Sequence, residues 1–460
     1  MKFALVAFGN EESYGLLFVG GELLALGHEI RFFDAEQSDV AERVAAWSPQ
    51  FLCFSPMTTF YPGASALART LKSELPGVVS LFGGHHAMSV PSIVDSEEVD
   101  VAVVGPVRGS VERILAGERG VIRTVPTTPG DLPRPARAEC YRDIPRLGDR
   151  YRKFMLSMPG CPWNCSYCSS ASTHMRQLFG TEGYKRYYLT RRPMATIIEE
   201  AEEIIRYPTR EIEWVDDDIF AGGDIESWIP EFVAAWEEHI GLPMYVSTTS
   251  KFVLKVPDVV LSSLKGIVDV VGMGVQAIRP GSLKLFNRGW DSEPLMRAAY
   301  DRLRSFGYAV NLQCIVGLPV EDPVEDALDT IKGMQRIGPG SICSCYPLIV
   351  YPGTEMEAYC RKHSIALNPA CSGDTNSGLP SILFPPEVTK RLRNICKLGT
   401  LFVKFEIDER WMRALIDLDF DEPTSRRLSL VRYHDCVTDR LKEDGERIFQ
   451  EILAGMKLRY

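Results

Sequence analysis

Two hydrophobic patterns alternate along most of this chain. Short, almost uninterrupted apolar runs are each followed by a helix-length stretch whose apolar positions recur every three to four residues. Strands that are apolar on both faces and alternate with helices are typical of a parallel sheet covered on both sides. The first runs are "KFALVAF", "EIRFFD", "FLCFSP", "VVSLFGG" and "VDVAVVG". They predict an α/β fold that begins with a doubly wound, flavodoxin- or Rossmann-like domain over residues 1–125.

The same alternation resumes after a proline-rich stretch. Residues 126–150 have little periodicity, so we expect a linker there. Six more apolar runs follow, with amphipathic helices between them: "KFMLSM", "EIEWVDD", "MYVSTTS", "VDVVGMGV", "AVNLQCIVG" and "CSCYPLIVY". They predict a partial, open-sided (β/α)6 barrel over residues 151–356. Residues 357–460 become helix-dominated, which predicts a small helical C-terminal domain able to close the barrel mouth.

Composition narrows the class of protein and of partner. With 45% hydrophobic and 24% charged residues, the chain is typical of a soluble globular protein. We expect no membrane span and no signal peptide, because no apolar run is long enough and no cleavage site follows the first one. The net charge of −10 argues against nucleic acid as a partner and favours a small molecule or another protein. The scattered cysteines favour a reducing cytoplasm.

One group of cysteines is tightly spaced. The stretch "MPGCPWNCSYCSS" places Cys161, Cys165 and Cys168 in a C-x-x-x-C-x-x-C pattern. Thiolates suit zinc or an iron–sulfur cluster. A structural zinc site has four ligands, and His174 is a candidate for the fourth; three buried thiols are a further alternative. Because the loop follows a predicted barrel strand rather than a hairpin, we favour a [4Fe–4S] cluster with one open iron.

The cysteine loop, with Tyr167 before its last cysteine, resembles that of the radical S-adenosylmethionine (SAM) superfamily. Four later segments resemble, in order, motifs of the subgroup with an N-terminal cobalamin-binding-type domain: "EWVDDDIF", "VGMGVQAIRPGSLKLFNRG", "NLQCIVGLPVED" and "YPLIVYPGTEM". The resemblance covers residues 1–356. It implies that SAM binds the open iron and is cleaved reductively to a 5′-deoxyadenosyl radical. It also implies an external one-electron reductant such as flavodoxin or ferredoxin.

The resemblance also implies which residues lie at SAM. Gln276 corresponds to a Gln or Glu near SAM, and Gly317 to a glycine that lets the backbone approach the adenine. Hydroxyls at the end of the third barrel strand are placed to reach the methionyl carboxylate. With Tyr167, the expected cofactor-binding residues are Ser247, Thr248, Gly274, Gln276 and Gly317. The alternative is that these glycines serve bulges and these hydroxyls belong to ordinary strand residues.

Cobalamin binding stays open at the sequence level. A His-ligated site needs D-x-H-x-x-G after the first strand, where this chain has "GNEESYG". The turn after the fifth strand, which commonly reads G-E-G-E in the subgroup, is "GPVRGS". His85 and His86 follow the fourth strand, a place that the subgroup uses near the corrin, but they can equally cap a helix.

Three consecutive acids are the candidate catalytic residues. If the strand alternation continues, Asp216 and Asp218 share one face and Asp217 opposes them. A carboxylate at the barrel mouth can bind substrate amines or hydroxyls and protonate a leaving hydroxide. Mutual repulsion raises the pKa of at least one of them where they are partly buried. A solvated acidic turn is the alternative.

Two enzyme classes fit these motifs. The layout is similar to that of the diol dehydratases of apramycin-type aminoglycoside pathways. It predicts a lyase of antibiotic biosynthesis that abstracts a hydrogen and dehydrates a vicinal diol in a sugar-type intermediate such as paromamine. The alternative is a cobalamin-dependent radical SAM C-methyltransferase, for which SAM is both radical source and methyl donor. A cluster-bearing scaffold or redox relay is a third, non-enzymatic interpretation.

The cluster hypothesis makes the first testable prediction. Replacing Cys165 with Ala removes one of three thiolate ligands, so iron content, cluster absorbance and reductive SAM cleavage should all be lost together. Replacing Cys53, which lies in a predicted strand far along the chain from the trio, is the matched control and should change none of them. SAM cleavage that survives in the Cys165 variant would contradict the hypothesis.

Overall fold

The computed structural model describes residues 1–124, 128–371, 373, 375–421 and 424 of the chain. It contains two six-stranded parallel sheets, one after the other in sequence. The first is built from Lys2–Ala7, Glu29–Asp34, Phe51–Phe54, Val79–Phe82, Val101–Val104 and Gly120–Arg123 (β1–β6). The second is built from Arg152–Met155, Glu211–Trp214, Met244–Thr249, Val268–Gln276, Ala309–Val316 and Ile342–Pro347 (β7–β12). The predicted α/β fold class is confirmed.

The first sheet is doubly wound. Its strand order is β2-β1-β3-β4-β5-β6, so the chain reverses direction across the sheet beside β1. In such sheets ligands bind at the carboxyl ends of the strands, near the reversal. The prediction of five strands was wrong by one, because β6 pairs with β5 at the edge. This strand has only four residues, of which Ile122 alone is fully buried, so its apolar signal is weak.

The second sheet forms the open barrel. Its strands follow one another in chain order from β7 to β12, which leaves the two outermost strands unpaired with each other. The sheet and its helices enclose the largest apolar core of the protein, which includes Trp214, Phe232 and Leu312. The carboxyl ends of all six strands lie at one edge, as in any parallel sheet. The partial (β/α)6 barrel is confirmed.

Helices cover both sheets. Those of the first sheet and the following segment are Tyr14–Ala25, Val40–Trp47, Tyr61–Glu74, Gly84–Ser89, Val111–Leu115, Arg137–Asp143 and Pro145–Gly148 (α1–α7). Those of the barrel are Ser172–Gly183, Met194–Ile204, Ile225–His239, Ser250–Val253, Asp258–Leu264, Pro280–Leu285, Glu293–Ser305 and Pro323–Ile337 (α8–α15). Those after the last strand are Glu355–Lys362, Pro386–Lys404 and Glu409–Ile416 (α16–α18). Among the described residues, no helix is both long and apolar enough to cross a membrane.

The proline-rich connecting segment contains two helices, α6 and α7, that pack between the two sheets. Arg137 on α6 is fully buried. Its guanidinium donates to Phe154 O of β7 at 2.6 Å and to Glu200 Oε1 of α9 at 2.8 Å. It also donates to Tyr14 Oη of α1 at 2.9 Å and lies 3.4 Å from Glu12. This one side chain therefore binds the first domain, through α1, and the barrel, through β7 and α9.

The C-terminal segment packs against the last strand of the barrel. Helix α17 packs on β12 and α15, and its Thr400 hydroxyl donates to Cys343 O. The loop before it spans the carboxyl ends of both sheets. A Cβ on Gly317 at the end of β11 would lie 3.0 Å from Pro380, and one on Gly373 would lie 3.5 Å from Thr59 of the first domain. The further helical pattern predicted beyond α18 lies outside the described residues.

The buried arginine makes a stability prediction. Arg137→Met leaves Glu12 buried without its cation and takes from Glu200 one of two, since Arg192 still pairs with Glu200, which should lower the free energy of unfolding by about 3–5 kcal/mol. Arg297→Ala is the matched control, because its ion pair with Asp301 is exposed and its loss should cost about 1 kcal/mol or less. Urea unfolding followed by tryptophan fluorescence measures both. Equal effects of the two substitutions would contradict the role given to Arg137.

Candidate functional site

The cysteine loop is fixed from several directions. Cys161 and Cys165 are buried and Cys168 is half-buried. Ser166 Oγ donates to Leu285 O at 2.7 Å, and Ser166 O accepts from Met356 N at 2.8 Å. Residues that follow β10 and β12 thus hold the middle of the loop. Burial is the main cause that raises the pKa of Cys161 and of Cys168. Cys168 adds to the shift at Cys161, and Cys165 adds to the shift at Cys168, so the thiols lie near one another.

The spacing of the thiols bears on the zinc alternative. A tetrahedral zinc site with Zn–S bonds of about 2.3 Å gathers its ligands around one point. Among the described residues, no three His, Cys, Asp or Glu side chains converge in that way. His174, the candidate fourth ligand, instead has its Nε2 3.4 Å from Ser89 Oγ of the first domain. This contact of His174 with the first domain does not place it as a fourth ligand beside the three thiols.

Asp216 braces the start of the loop. It is fully buried, and its Oδ1 accepts from Ser157 N at 2.6 Å and Met158 N at 3.2 Å. The Ser157 hydroxyl donates to its other oxygen. Arg191 Nη1 lies 3.4 Å from the same carboxylate and donates to the Ser157 hydroxyl at 2.7 Å. The carboxylate therefore sets the backbone that leads into Cys161.

Asp218 is bound by hydroxyls at the end of β9. Thr248 Oγ1 donates to it at 2.8 Å and Thr249 Oγ1 at 3.0 Å, while Thr249 N and Phe220 N add backbone donors. Burial nevertheless raises the pKa of Asp218 to about 7. The Thr248 hydroxyl is thus committed to a carboxylate. Ser247, only half-buried, is the hydroxyl of this strand end that lies beside Gly272 inside the barrel.

Asp217 faces the opposite way from its neighbours, as the alternation predicts. Its side chain is exposed, whereas Asp216 and Asp218 are buried. Desolvation is nevertheless the main cause that raises its pKa to about 6, with the charge of Asp216 second. The Asp217 side chain therefore keeps contact with solvent although protein atoms lie close around it. It is close enough to the cysteines to raise the pKa of Cys161 and Cys168, so the cleft that it faces lies at the loop.

Gln276 occupies a strained turn at the end of β10. Its φ of 66° lies in the left-handed region, which is costly for a residue with a side chain. The strand has a β-bulge there, with Val275 as the extra residue opposite β11. A Cβ on Gly274 would lie 2.7 Å from Gln276 Nε2, so glycine is needed for this fold of the side chain. Strain held in place by packing is common at ligand sites.

Arg288 completes this group, although the sequence did not single it out. It is buried, and its Nη2 donates to Gly274 O at 2.6 Å and Asp291 at 2.9 Å. Cys165 and Tyr167 are among the groups that interact with its charge. Its Nε is buried and has no partner among the described residues. The one signal of Arg288 in the sequence was its place between the apolar residues of the "KLFNRGW" stretch.

The donors around the loop fit the two groups that the motif implies. Three thiols suit the corners of a cluster, and the unpartnered Arg288 Nε suits an anionic group such as a carboxylate. Tyr167 packs edge-on against Phe286 at 4.7 Å beside Cys165, which fixes the rim of the loop. Gly317 is also left-handed, with φ 81°, and packs against Pro380. Of the expected cofactor-binding residues, Gly274, Gln276 and Tyr167 therefore lie around Arg288, and Ser247 lies by Gly272.

Comparisons with known proteins agree with this geometry. The family model of the radical SAM superfamily matches residues 155–334, and that of the B12 binding domain matches residues 3–115. The chain therefore contains a radical SAM domain and a B12-binding domain. Its N-terminal sheet places it in the subgroup with a B12-binding-type domain, as the motifs predicted. A [4Fe–4S] cluster and SAM are the cofactors of this radical SAM enzyme.

Similar proteins include methylases. A hopanoid C-3 methylase of Methylococcus capsulatus is 27% identical over 302 residues, which cover 60% of this chain and 56% of that protein. Two solved structures share the fold. The radical SAM methyltransferase TsrM of Kitasatospora setae, with cobalamin and a [4Fe–4S] cluster bound, has a TM-score of 0.65 and 14% identity over 98% of this chain and 99% of its own. The cobalamin-dependent SAM radical enzyme OxsB has a TM-score of 0.61 and 10% identity over 99% and 71%.

The raised pKa of Asp217 makes a prediction about this radical SAM chain. Because its folded pKa of about 6 exceeds the ordinary 3.8, the native state keeps a proton that the unfolded state has lost. Its contribution to stability is therefore full below pH 3.8 and is lost as the pH rises to about 6. In the wild type, the unfolding free energy should therefore fall between pH 4.5 and 6.5 as Asp217 ionises. Asp217→Asn should remove the share of this fall that Asp217 causes.

Urea titrations of wild type and Asp217→Asn at several pH values measure this difference. Exposed Asp269→Asn is the control, and it should follow the wild-type curve. Parallel curves for wild type and Asp217→Asn would show that the carboxyl is already ionised in the native state at pH 4.5.

Proposed function

We propose that this radical SAM enzyme is a cobalamin-dependent C-methyltransferase acting on a small-molecule substrate. The observation that carries the proposal is the contact between α4, at the carboxyl edge of the first sheet, and α8, which follows the cysteine loop. Ser89 Oγ lies 3.4 Å from His174 Nε2, and His174 is close enough to His85 to affect its pKa. The ligand-binding edge of the B12-type domain therefore meets the cluster side of the barrel.

The carboxyl edge of the first sheet offers groups suited to a corrin. His85 is exposed to the cleft, and desolvation followed by the charge of His174 lowers its pKa, so its imidazole is neutral at neutral pH. His86, by contrast, is buried: it stacks on Tyr61 and bonds to Thr58. The first-strand turn has no histidine, so a cobalamin here has no axial ligand from that motif. The groups suited to a corrin are therefore those at the edge of the sheet that carries His85.

At the fifth strand the edge is more crowded. A Cβ on Gly105 would lie 2.5 Å from Thr124 Oγ1 and 3.3 Å from Phe179 of the barrel. The side chains that replace G-E-G-E in "GPVRGS" therefore border a region that is already packed. A nucleotide tail bound here would follow a different path from one that uses acidic residues. The corrin-facing part of the edge, at β4, is unaffected.

The residues of the chain divide the work at the cleft. When bound, the cluster with SAM supplies a radical initiator and cobalamin supplies a methyl carrier. We assign cluster binding to the three cysteines, and the SAM carboxylate and neighbouring atoms to Arg288, Gln276 and Ser247. Asp216 and Asp218 position the strand ends through their bonds to Ser157 and Thr248. Asp217 is left to face the substrate.

Dehydration of a vicinal diol is the second candidate, and Asp217 is the observation that favours it. A carboxyl with a pKa of about 6 in an enclosed cleft is partly protonated near neutral pH. It can therefore hydrogen-bond to a substrate hydroxyl and protonate the departing oxygen. Two of the three similar proteins named above are a methylase and a methyltransferase, however, which supports methyl transfer over the lyase reaction. An aminoglycoside such as paromamine would be the substrate class for this second candidate.

One experiment separates the two candidates. Protein reconstituted anaerobically with iron, sulfide and hydroxocobalamin is incubated with SAM that carries a CD3 group and with candidate substrates, including paromamine. Methyl transfer predicts stoichiometric bound corrin and a product that is heavier by the labelled methyl. Asp217→Asn should then keep corrin and cluster content unchanged, which makes it a loading control.

The contrary outcome is equally definite. A cluster-loaded protein that binds no corrin, releases 5′-deoxyadenosine and converts the substrate to a product lighter by one water would overturn the methyltransferase proposal. In that case Asp217→Asn should abolish the loss of water while 5′-deoxyadenosine release continues.

A further inference from the structure

Two tryptophans stack on the outer side of the cysteine loop. Trp163 lies in the loop itself, between Cys161 and Cys165. Its ring is 4.7 Å from that of Trp290, nearly parallel at 23°, and meets Phe252 edge-on at 5.2 Å. We call Trp163, Trp290, Phe252 and the lysine above them, Lys251, the indole face. It is the only stacked indole pair among the described residues.

The indole face is not a core. Trp163, Trp290 and Phe252 are only half-buried, whereas the core tryptophans Trp214 and Trp236 are fully buried. Trp163 Nε1 is buried but has no acceptor among the described residues. Large aromatic rings that keep solvent access are enriched where proteins meet one another. Packing within this chain alone therefore leaves the face incomplete.

The charge around the indole face is positive. Lys251 Nζ lies over both rings, 4.9 Å from Trp163 and 5.1 Å from Trp290, and has no carboxylate partner among the described residues. Lys255 follows one turn later and Lys284 precedes Leu285, which binds the cysteine loop through Ser166. Both lysines are exposed and lack ion pairs within the described part of the chain. A cationic patch is notable on a protein with net charge −10.

The indole face adjoins the part of the cysteine loop that reaches the surface. The outer loop residues Asn164 and Asn287 bond to exposed Glu355, at 3.0 and 2.6 Å, which marks this side as surface. Trp290 also packs against Arg288, whose Cζ lies 4.8 Å from the centre of its ring. A partner at the indole face therefore comes close to a cluster at the loop, because Trp163 lies between two of the three cysteines.

We propose that the indole face is the docking surface for a small acidic one-electron carrier protein, such as a flavodoxin. The proposal rests on the proposed function only in requiring a cluster at the three cysteines. The reduced carrier loses one electron and the oxidised cluster gains it, with no proton transferred and no bond made or broken. Lys251, Lys255 and Lys284 attract the acidic carrier, and the indoles supply the apolar contact. Electron-transfer encounters are small and steered by charge, which suits so limited a patch.

The test is the rate at which reduced flavodoxin reduces the cluster in the full-length, cluster-loaded protein. Lys251→Glu should slow this reduction about tenfold at low salt, because charge steering changes association rates by 10-fold or more. The difference from wild type should shrink as ionic strength rises. Stopped-flow absorbance of cluster and flavin measures both, with neither SAM nor substrate present.

Lys2→Glu is the matched control. Lys2 also lies over an indole, 5.3 Å from Trp47, but at the start of β1 in the other domain. Its charge reversal should leave the rate with flavodoxin at the wild-type value. Photoreduced deazariboflavin, a small neutral reductant, should reduce all variants equally. The exposed pair Lys255→Glu/Lys284→Glu gives a second test that spares the packed lysine.

Two outcomes would overturn the proposal. One is a wild-type rate with flavodoxin in both Lys251→Glu and the double variant. The other is an equal slowing with flavodoxin and deazariboflavin, which would mean that these lysines act on the cluster rather than on docking. Failure of methyl transfer in a protein that flavodoxin reduces normally would count against the proposed function alone.

Discussion

A single buried guanidinium ties the two halves of this protein together. Arg137 comes from the connecting segment, yet its hydrogen bonds end on α1, β7 and α9. A charge removed from solvent is costly unless it is paired and its donors are hydrogen-bonded. The carboxyl edges of the two sheets are therefore held at one relative position. The contact of Ser89 in the first domain with His174 in the barrel depends on that constraint.

The same principle acts again at the cysteine loop. Asp216 is buried where its oxygens meet the backbone amides that lead into Cys161. The three adjacent carboxylates therefore have two roles. Asp216 and Asp218 hold the strand ends, whereas Asp217 faces the cleft. Residue type alone does not distinguish these roles. Burial and hydrogen-bond partners do.

The sequence predicted the strands well because each is a continuous apolar run, such as "EIRFFD", which matches Glu29–Asp34. It missed β6, whose apolar signal is two residues long, and took the helices around Arg137 for a plain linker because prolines interrupt their periodicity. At the site, the cysteine spacing and Gln276 carried local signals. No local signal marked Arg288 or the hydrogen bond from Thr248 to Asp218, because both depend on contacts between distant segments.

The bulge at Val275 also limits how this strand can vary. Side chains alternate along β10 until Gly274, and the one extra residue resets the alternation so that Gln276 lies over Gly274 and beside Arg288. Deleting any residue between Gly272 and Gln276 would turn the glutamine to the opposite face. Relatives that keep this pocket must therefore conserve the length of the segment even where its amino-acid sequence differs. Insertions and deletions should be confined to the loops on either side.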